Sequence, residues 1–332
     1  MRALLLGFVA TIATVLPAGG QELAPIKLAE GVYAITGPGG AINTGFVVGD
    51  RGVFVYSCQL TEYDQRLAAI RRVAGSKSIR FLANGHYAWD DTGCNHLLAE
   101  QGAVVLGNPE FARLLRASWA ARAESDLRSG RVKREYLEGK RVEAALPSVL
   151  FDQKMTLDLG SHVVELIFVG TAHTPDNTIA WLPREKVLFT NDILFAELHP
   201  VADERSDIAN WQRILTMLAG WGPASVVPGH GRFTAGNGAK PLLELDRYLG
   251  TLRQKVRALK DRGKSLDEVK KEIVAQFTEF STWGKGGRFE PAEAIRSASE
   301  VIYRELAKPG AQAPPGETLG EVHVPYARRV TP

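Results

Sequence analysis

Two successive runs of strand-like segments, each followed by helical segments, constrain the fold of this chain more than any other feature. Alternating apolar residues fill residues 31–56, and a second strand-rich run covers residues 155–189. Long helix-period segments occupy about residues 240–262, 266–277 and 291–307. An apolar sheet face must pack against another layer. The pattern therefore predicts two similar β-rich halves with helices outside, packed as one domain of two sheets.

The first twenty residues differ in composition from the rest of the chain. Arg2 precedes a short apolar run over residues 3–16, and small residues follow before the sequence becomes polar. This order is typical of a secretory signal peptide, and the apolar run is shorter than the roughly twenty residues of a membrane span. We expect residues 1–20 to direct export, to the periplasm or outside the cell, with no stable membrane insertion after their removal.

Composition divides the remaining chain. Residues 21–262 contain the strand–helix pattern and form the predicted main domain. Within it, residues 109–145 look helical and rich in arginine, which indicates either a solvated insert or a lid that draws anionic substrates toward a site. Residues 263–308 form a predicted helical extension, and the Pro- and Gly-rich residues 309–332 are expected to be poorly ordered.

The net charge limits the classes of partner. A formal charge of +3 is too small to indicate binding to nucleic acid. We therefore expect a small-molecule substrate and no nucleic-acid partner, and the sequence leaves the oligomeric state open.

Four polar clusters follow predicted strands, at the positions where a scaffold presents reactive side chains. Imidazole and carboxylate groups occur together in them, and this combination suits zinc, iron or manganese. Each cluster alone is weak evidence, because a histidine at a strand end is commonly structural and Asp91 can cap the following helix. The order and spacing of all four indicate a metal centre. The candidate ligands are His86, Asp90, Asp91, His173, Asp192 and His230.

These clusters resemble the motifs of the metallo-β-lactamase superfamily over about residues 25–260. Residues 84–95 are similar to its His-x-His-x-Asp-His loop, and residues 170–175 to its Gly-x-x-His motif. Residues 188–192 resemble its strand with a bridging aspartate, and residues 227–231 its final Gly-His. The resemblance implies an α/β fold of the αββα type, in which helices flank two mixed β-sheets. More narrowly, the chain resembles periplasmic quinoprotein-relay or sulfur-oxidation-associated zinc metallohydrolases.

Several residues inside the motifs depart from the family pattern. Ala88 stands where the family has its second histidine, and Asp91 stands where it has another. Tyr56 begins a Tyr-Ser-Cys sequence in place of an early Asp-Thr-Gly. The first metal position therefore keeps only two of its histidines.

The resemblance implies two metal positions that share Asp192. The first would use His86 and His173, and the second would gather Asp90, Asp91 and His230. One or two divalent ions are expected, with zinc usual in the family and manganese or iron as alternatives, because carboxylates favour harder ions. The metal would activate a water molecule for hydrolysis. Asp90 would orient that water and is the candidate catalytic residue.

The cysteines Cys58 and Cys94 support a separate prediction. Both stand at positions that are glycine in the family, on loops that its fold places side by side. A disulfide between them in the exported protein would contribute roughly 3–4 kcal/mol to stability in the chain-entropy model. The alternative is a pair of small buried thiols.

Two functions remain open on this reasoning. One is a metal-dependent hydrolase of an ester, lactone, thioester or amide. The other is a catalytically impaired binding or accessory protein with a depleted metal site. A nuclease is disfavoured by the predicted export signal and by the modest charge.

Overall fold

A computed structural model describes residues 22–284 and 290–308 of the chain. The predictions made for residues 1–20 and 309–332 lie outside these described residues. Within the described ranges, no helix combines the length and apolar composition that crossing a membrane requires.

The first β-layer is a seven-stranded sheet whose strands follow one another in chain order. Neighbours up to the fourth strand are antiparallel, and the later ones are parallel. The carboxyl ends of the parallel strands therefore lie at one edge of the sheet, where the first candidate motif begins. The strands are β1 (Pro25–Ala29), β2 (Val32–Ile35), β3 (Thr44–Gly49), β4 (Gly52–Tyr56), β5 (Ile79–Ala83), β6 (Val104–Gly107) and β7 (Val149–Leu150).

The second β-layer has five strands, and it is also mixed. Its two last strands along the chain pair in parallel, whereas the other neighbours are antiparallel. The order across the sheet is β12, β11, β10, β9, β8. The strands are β8 (Lys154–Asp158), β9 (Val163–Gly170), β10 (Asn177–Leu182), β11 (Val187–Ala196) and β12 (Ser225–Gly231).

Helices cover both outer faces. One apolar cluster, which includes Phe54 and Phe189, lies between the sheets, and two further clusters lie between a sheet and its helices. The predicted αββα sandwich is confirmed. The helices are α1 (Tyr63–Ala74), α2 (Trp89–Thr92), α3 (Asn95–Glu100), α4 (Pro109–Ser129), α5 (Ile208–Gly220), α6 (Lys240–Asp261), α7 (Leu266–Gln276) and α8 (Pro291–Glu305).

The arginine-rich insert contains one long helix, α4, and then turns and short 3₁₀ segments. Asn108 caps α4, because its Oδ1 accepts a hydrogen bond from the amide of Phe111 at 2.8 Å. Six of the arginines form ion pairs with nearby acids, so much of the positive charge is balanced locally. This supports the interpretation as a solvated segment. The pairs are Arg113–Glu110, Arg116–Glu143, Arg128–Glu124, Arg131–Asp126, Arg134–Glu138 and Arg141–Glu143.

Cys58 and Cys94 form a disulfide. Their Cα atoms are 5.6 Å apart, which lies within the usual range for this bond. The amide of Cys58 donates to the carbonyl of Asp91 at 2.8 Å. The bridge thus joins the segment after β4 to the end of the first motif.

Candidate metal centre

The first loop passes close to the second sheet at Gly85, the residue before His86. A β-carbon on Gly85 would lie 2.0 Å from Cβ of Asn191, so this approach excludes a side chain at that position. The amide of His86 donates to Oδ2 of Asp91 at 2.8 Å, and Nδ1 of its buried ring lies 3.4 Å from the same oxygen. These contacts direct Nε2 of His86 toward β11.

The second loop holds His173 through its backbone neighbours. Nδ1 of His173 donates to the carbonyl of Val201 at 2.9 Å, which leaves Nε2 without a proton and able to bind a cation when the ring is neutral. Oδ1 of Asn177 accepts from the amides of Ala172 and Thr174 at 3.2 and 3.0 Å. The loop is therefore fixed on both sides of the histidine.

Asp192 lies in the middle of β11 and directly follows Asn191, whose backbone is in the left-handed region. Asn191 has a φ of 51°, and its side chain accepts from the amide of Asp192 at 2.6 Å. The last motif approaches Asp192 closely at Gly229. A β-carbon there would lie 2.1 Å from Oδ1 of Asp192, so only glycine fits at this position. Nδ1 of His230 donates to the carbonyl of Gly40 at 2.8 Å, so its Nε2 faces Asp192.

The two carboxylate oxygens of Asp192 face different histidines. Oδ2 lies 3.7 Å from Nε2 of His86 and 3.5 Å from Nε2 of His173, and one ligand atom from each of these three residues lies within 4.8 Å of the others. Oδ1 lies 3.4 Å from Nε2 of His230, which lies 3.4 Å from Oδ2 of Asp90. Five of the six predicted ligands therefore meet in two groups that share Asp192.

Asp91 takes a different place from the one predicted. Sequence reasoning grouped it with His230, whereas the structure sets its buried carboxylate against Nδ1 of His86. A carboxylate on the far nitrogen of a metal-binding imidazole fixes the orientation and the tautomer of the ring. Asn84 fixes the backbone of Asp91, because its Nδ2 donates to the carbonyl of Asp91 at 2.7 Å.

Burial and charge give the three histidines different pKa values. Burial lowers the pKa of His173 to about 4. Burial also opposes protonation of His86, but Asp192 and Asp91 raise its pKa to about 10. For His230, Asp192 and Asp90 likewise outweigh burial and raise its pKa well above the usual value. Without a metal, protons on His86 and His230 therefore balance the carboxylates.

The donor set fits a divalent metal ion. Nε2 of His86 is buried, and within the described residues it makes no hydrogen bond. A buried polar atom of this kind is uncommon and calls for a partner. Imidazole nitrogen and carboxylate oxygen are the usual ligands of zinc and of the other transition metals considered. The most exposed side chains of the set are His173, at 13%, and Asp90, at 16%, so the site opens to solvent beside them.

Sequence reasoning assigned no role to Asp176, which shares a cluster with His173. The side chain is fully buried, and burial raises its pKa to about 6 although the neighbouring His86 acts in the opposite direction. Its proximity in sequence to His173 was the available signal. The ring of Phe195 stacks on that of His230, with 5.4 Å between the two ring centroids.

Comparisons with known proteins agree with this geometry. The sequence profile described as the metallo-beta-lactamase superfamily matches residues 37–230. A metallo-beta-lactamase type 2 of Bacteroides fragilis is 28% identical over 94 residues, which are 26% of this chain and 37% of that protein. The chain thus spans little more than a third of the length of this relative.

Two solved structures are similar in fold. A metallo-beta-lactamase from Pontibacter korlensis has a TM-score of 0.52 at 19% identity, covering 68% of this chain and 99% of that one. The inverting sec-alkylsulfatase Pisa1 from Pseudomonas sp. has a TM-score of 0.61 at 14% identity, covering 87% of this chain and 51% of that one. A coverage of 87% cannot be reached within the first 230 residues, so this second likeness extends into the C-terminal helices.

Proposed function

Because the chain belongs to the metallo-β-lactamase superfamily, we propose that it is a metal-dependent hydrolase whose two metal ions share Asp192. The observation that carries this proposal is the division of the Asp192 carboxylate, with one oxygen facing His86 and His173 and the other facing His230. A carboxylate placed in this way can bridge two cations.

The residues of the site have separate roles in this proposal. His86, His173 and Asp192 would hold one ion, and Asp90, His230 and Asp192 would hold the other. When bound, the ions polarise the substrate and activate water. Asp90 is the partly exposed carboxylate of the set, so it orients the attacking water and accepts a hydrogen bond from it. Asp91 acts through His86 and fixes its ring.

Zinc is the proposed metal. Three imidazoles favour it, and the position of Asp91 behind His86 makes the second group less rich in oxygen than the sequence indicated. We propose an ester, lactone, thioester or amide as the substrate class, and export to the periplasm as the location. The Cys58–Cys94 disulfide supports export, because such bonds persist in oxidising compartments. The narrower likeness to sulfur-oxidation-associated metallohydrolases stays part of this proposal.

One observation favours a second function, that of a binding or accessory protein. Ala88 lies within the first motif and offers no ligand, so the group around His86 has fewer imidazoles than the family pattern. A site with a weakened first position can retain a metal and a ligand without efficient turnover.

The first test is the metal content of the mature protein, purified without added metal or chelator. We expect one or two equivalents of zinc, together with hydrolysis of at least one compound from a panel of esters, lactones, thioesters and amides. Protein that binds no metal after incubation with zinc, manganese or iron would refute the hydrolase. Stoichiometric metal without hydrolysis of any member of the panel would favour the accessory protein.

The substitution Ala88→His separates these two functions further. If the native site is a depleted form of the family site, the added imidazole raises both zinc affinity and hydrolysis. If the native site serves another purpose, zinc affinity rises and hydrolysis stays at its original level. Ala88→Gln is the matched control, since it adds a polar side chain of similar length without an imidazole.

A further inference from the structure

The buried face of α4 carries one carboxylate among apolar side chains. Its buried residues recur at helical spacing, and Asp126, which is 4% exposed, occupies the last position of this stripe. Burial of a carboxylate costs free energy unless polar or charged groups surround it, so an acid at an otherwise apolar position calls for a role. The apolar members of the stripe are Phe111, Leu114, Leu115, Trp119 and Ala123.

Asp126 has two partners, which use different oxygens of its carboxylate. Oδ2 accepts a hydrogen bond from Nε1 of Trp89 at 2.8 Å, and Oδ1 pairs with the exposed guanidinium of Arg131 at 3.1 Å. Arg131 follows α4 within the insert, whereas Trp89 is the first residue of α2 and belongs to the first motif. The hydrogen bond to Trp89 therefore joins the arginine-rich insert to the motif that carries the candidate ligands.

Ring contacts add to this junction. The indole of Trp119 on α4 meets the ring of Trp89 edge-to-face, with 6.1 Å between the ring centroids, and it meets the ring of His96 on α3 at 5.9 Å. Aromatic pairs prefer such arrangements. Nε2 of His96 in turn lies 2.5 Å from the carbonyl oxygen of Tyr136, further along the insert. The insert thus packs against both short helices that follow the first motif histidine.

The residue after Trp89 is Asp90, whose carboxylate must point toward His230. Oδ2 of Asp90 lies 3.4 Å from Nε2 of His230. The helix α2 has a single turn, and a helix of this length is unstable without tertiary contacts. Ala88, which precedes it, brings no ligand, while Asp126 anchors the indole of its first residue. Fixing that ring fixes the backbone from which Asp90 projects.

We propose that Asp126 is a positioning residue, which acts through the indole of Trp89 to direct the carboxylate of Asp90 toward His230. This role rests on the proposed function, in which Asp90 orients the attacking water. It also gives the arginine-rich insert a task in the site. Ion pairs balance the charge on the exposed face of the insert, and its buried face holds the first motif in place.

The test compares four variants of the full mature chain loaded with zinc. Trp89→Phe keeps an aromatic ring but removes the N–H donor, and Asp126→Leu removes the acceptor. Asp126→Asn is the matched control, because its amide oxygen can still accept from Trp89 while the charge that pairs with Arg131 is lost. Arg131→Gln removes the same ion pair from the other partner.

Turnover of the panel compound that the wild type hydrolyses fastest is the first readout. We expect kcat to fall about ten- to a hundredfold in Trp89→Phe and Asp126→Leu, since a displacement of about 1 Å can cost a hundredfold. KM should be unchanged, because the displaced carboxylate acts on the water and not on the substrate. Asp126→Asn and Arg131→Gln should retain the kcat of the wild type.

Hydrogen exchange of the metal-free protein is a second readout, which needs neither metal nor turnover. The amides of Asp91, Thr92 and Gly93 donate within the turn of α2. In Trp89→Phe they should exchange about tenfold faster than in the wild type, as expected when one supporting hydrogen bond is lost. The amides of β5, in the core of the first sheet, should exchange at the original rate and serve as the internal control.

Three results would overturn the positioning role. One is unchanged exchange of α2 in Trp89→Phe, and another is faster exchange with the kcat of the wild type, because the indole would then not control Asp90. The third is a loss of kcat in Asp126→Asn as large as that in Asp126→Leu, because the charge and not the hydrogen bond would then matter. If Asp126→Leu does not fold, Trp89→Phe decides.

A wild type that hydrolyses no compound of the panel would instead refute the proposed function. The zinc affinity of Trp89→Phe, measured by competition with a chromophoric chelator, then decides whether the indole positions Asp90. A fall of about tenfold, the size seen when groups that orient metal ligands are removed, supports the positioning role. An affinity equal to that of the wild type overturns it, so the two failures are distinguishable.

Discussion

The two halves of the candidate site position their histidines by different means. In the first half, the loop that carries His86 is held by the buried Asp91 carboxylate and by the Cys58–Cys94 disulfide. In the second half, His173 and His230 are held by hydrogen bonds to backbone carbonyls. The departures from the family pattern are concentrated in the first half, where side chains and a covalent bond replace the usual motif residues.

The substituted residues of the first half have structural contacts of their own. The hydroxyl of Tyr56 donates to the carbonyl of Thr178 at 2.6 Å, and Oγ of Ser57 accepts from Nδ2 of Asn191 at 2.8 Å. Both contacts join the first sheet to the second. A motif can therefore lose ligands and still keep the two halves in register, and the substitutions below test how far each half depends on the other.

Asp192→Asn should have the largest effect, because both halves use this carboxylate. Structural zinc sites bind with about 10–16 kcal/mol, so losing one of four ligands costs roughly a quarter of this and lowers the affinity on the order of a hundredfold or more. We expect metal content after dialysis to fall to near zero in both groups. Loss of only one equivalent would show that the halves bind metal separately, and Asp126→Asn should retain the wild-type content.

Removal of the disulfide tests the covalent support of the first half. The double variant Cys58→Ser, Cys94→Ser should lose roughly 3–4 kcal/mol of unfolding free energy, as expected for a closed loop of this length. Denaturant unfolding with and without a reductant measures this loss, and reductant should have no effect on the double variant. An unchanged midpoint for the wild type under reducing conditions would contradict a stabilising role of the bridge.

The pKa values of the two halves predict a pH dependence of metal binding. In the metal-free protein the pKa of His86 is raised to about 10 and that of His173 is lowered to about 4. At neutral pH the ring of His86 must therefore lose a proton to bind metal, whereas that of His173 need not. Zinc affinity should rise about tenfold per pH unit for each proton released, between pH 6 and 8. Calorimetry in buffers of different ionisation enthalpy counts the protons, and binding without proton release would contradict the assignment.

The C-terminal helices are connected by hydrogen bonds to the loop that carries His173 in the second half of the site. Oε1 of Glu305 on α8 accepts from the amide of Ile208 at 2.6 Å, and Glu305 also pairs with Arg253 on α6. The adjoining amide of Asp207 donates to the carbonyl of Ala172 at 2.8 Å. Glu305 is thus connected through the start of α5 to the loop of His173.

Glu305→Gln should therefore have the smallest of these effects, a loss of zinc affinity of less than about tenfold, because tenfold is the lower end for residues that contact a metal ligand directly and Glu305 does not contact His173. Glu300→Gln is the control, because Glu300 lies on the same helix and pairs with Lys270 and Arg304 on the surface. Chelator competition measures both variants. If both variants bind zinc with equal affinity, the contacts of Glu305 on α8 have no influence on the site.

Much of the fold followed from periodicity, because alternating and helical patterns determine which face of each element is buried. The helices near residues 240–262, 266–277 and 291–307 were predicted within a few residues, as were the strands that precede the motifs. The five candidate ligands that meet at Asp192, itself one of them, were predicted from motif order.

The remaining features depend on contacts that a linear pattern does not contain. Asp91 was grouped with His230 because of its place in the motif, but the turn of α2 sets its carboxylate against His86. Asp176 received no role because its complete burial is a product of tertiary packing, which a linear pattern does not show. The link from Glu305 to His173 joins elements that are distant in sequence.

The shared carboxylate has one more consequence. Since Oδ1 and Oδ2 of Asp192 face different groups, an ion held at one group in the proposed site would order the side chain that the other group needs. Occupancy of the two groups would then be coupled, and the factor by which the first ion changes the affinity for the second must equal the factor in the reverse order. Loading with metal should follow a cooperative isotherm, and a substitution confined to one group should alter the binding constant of both.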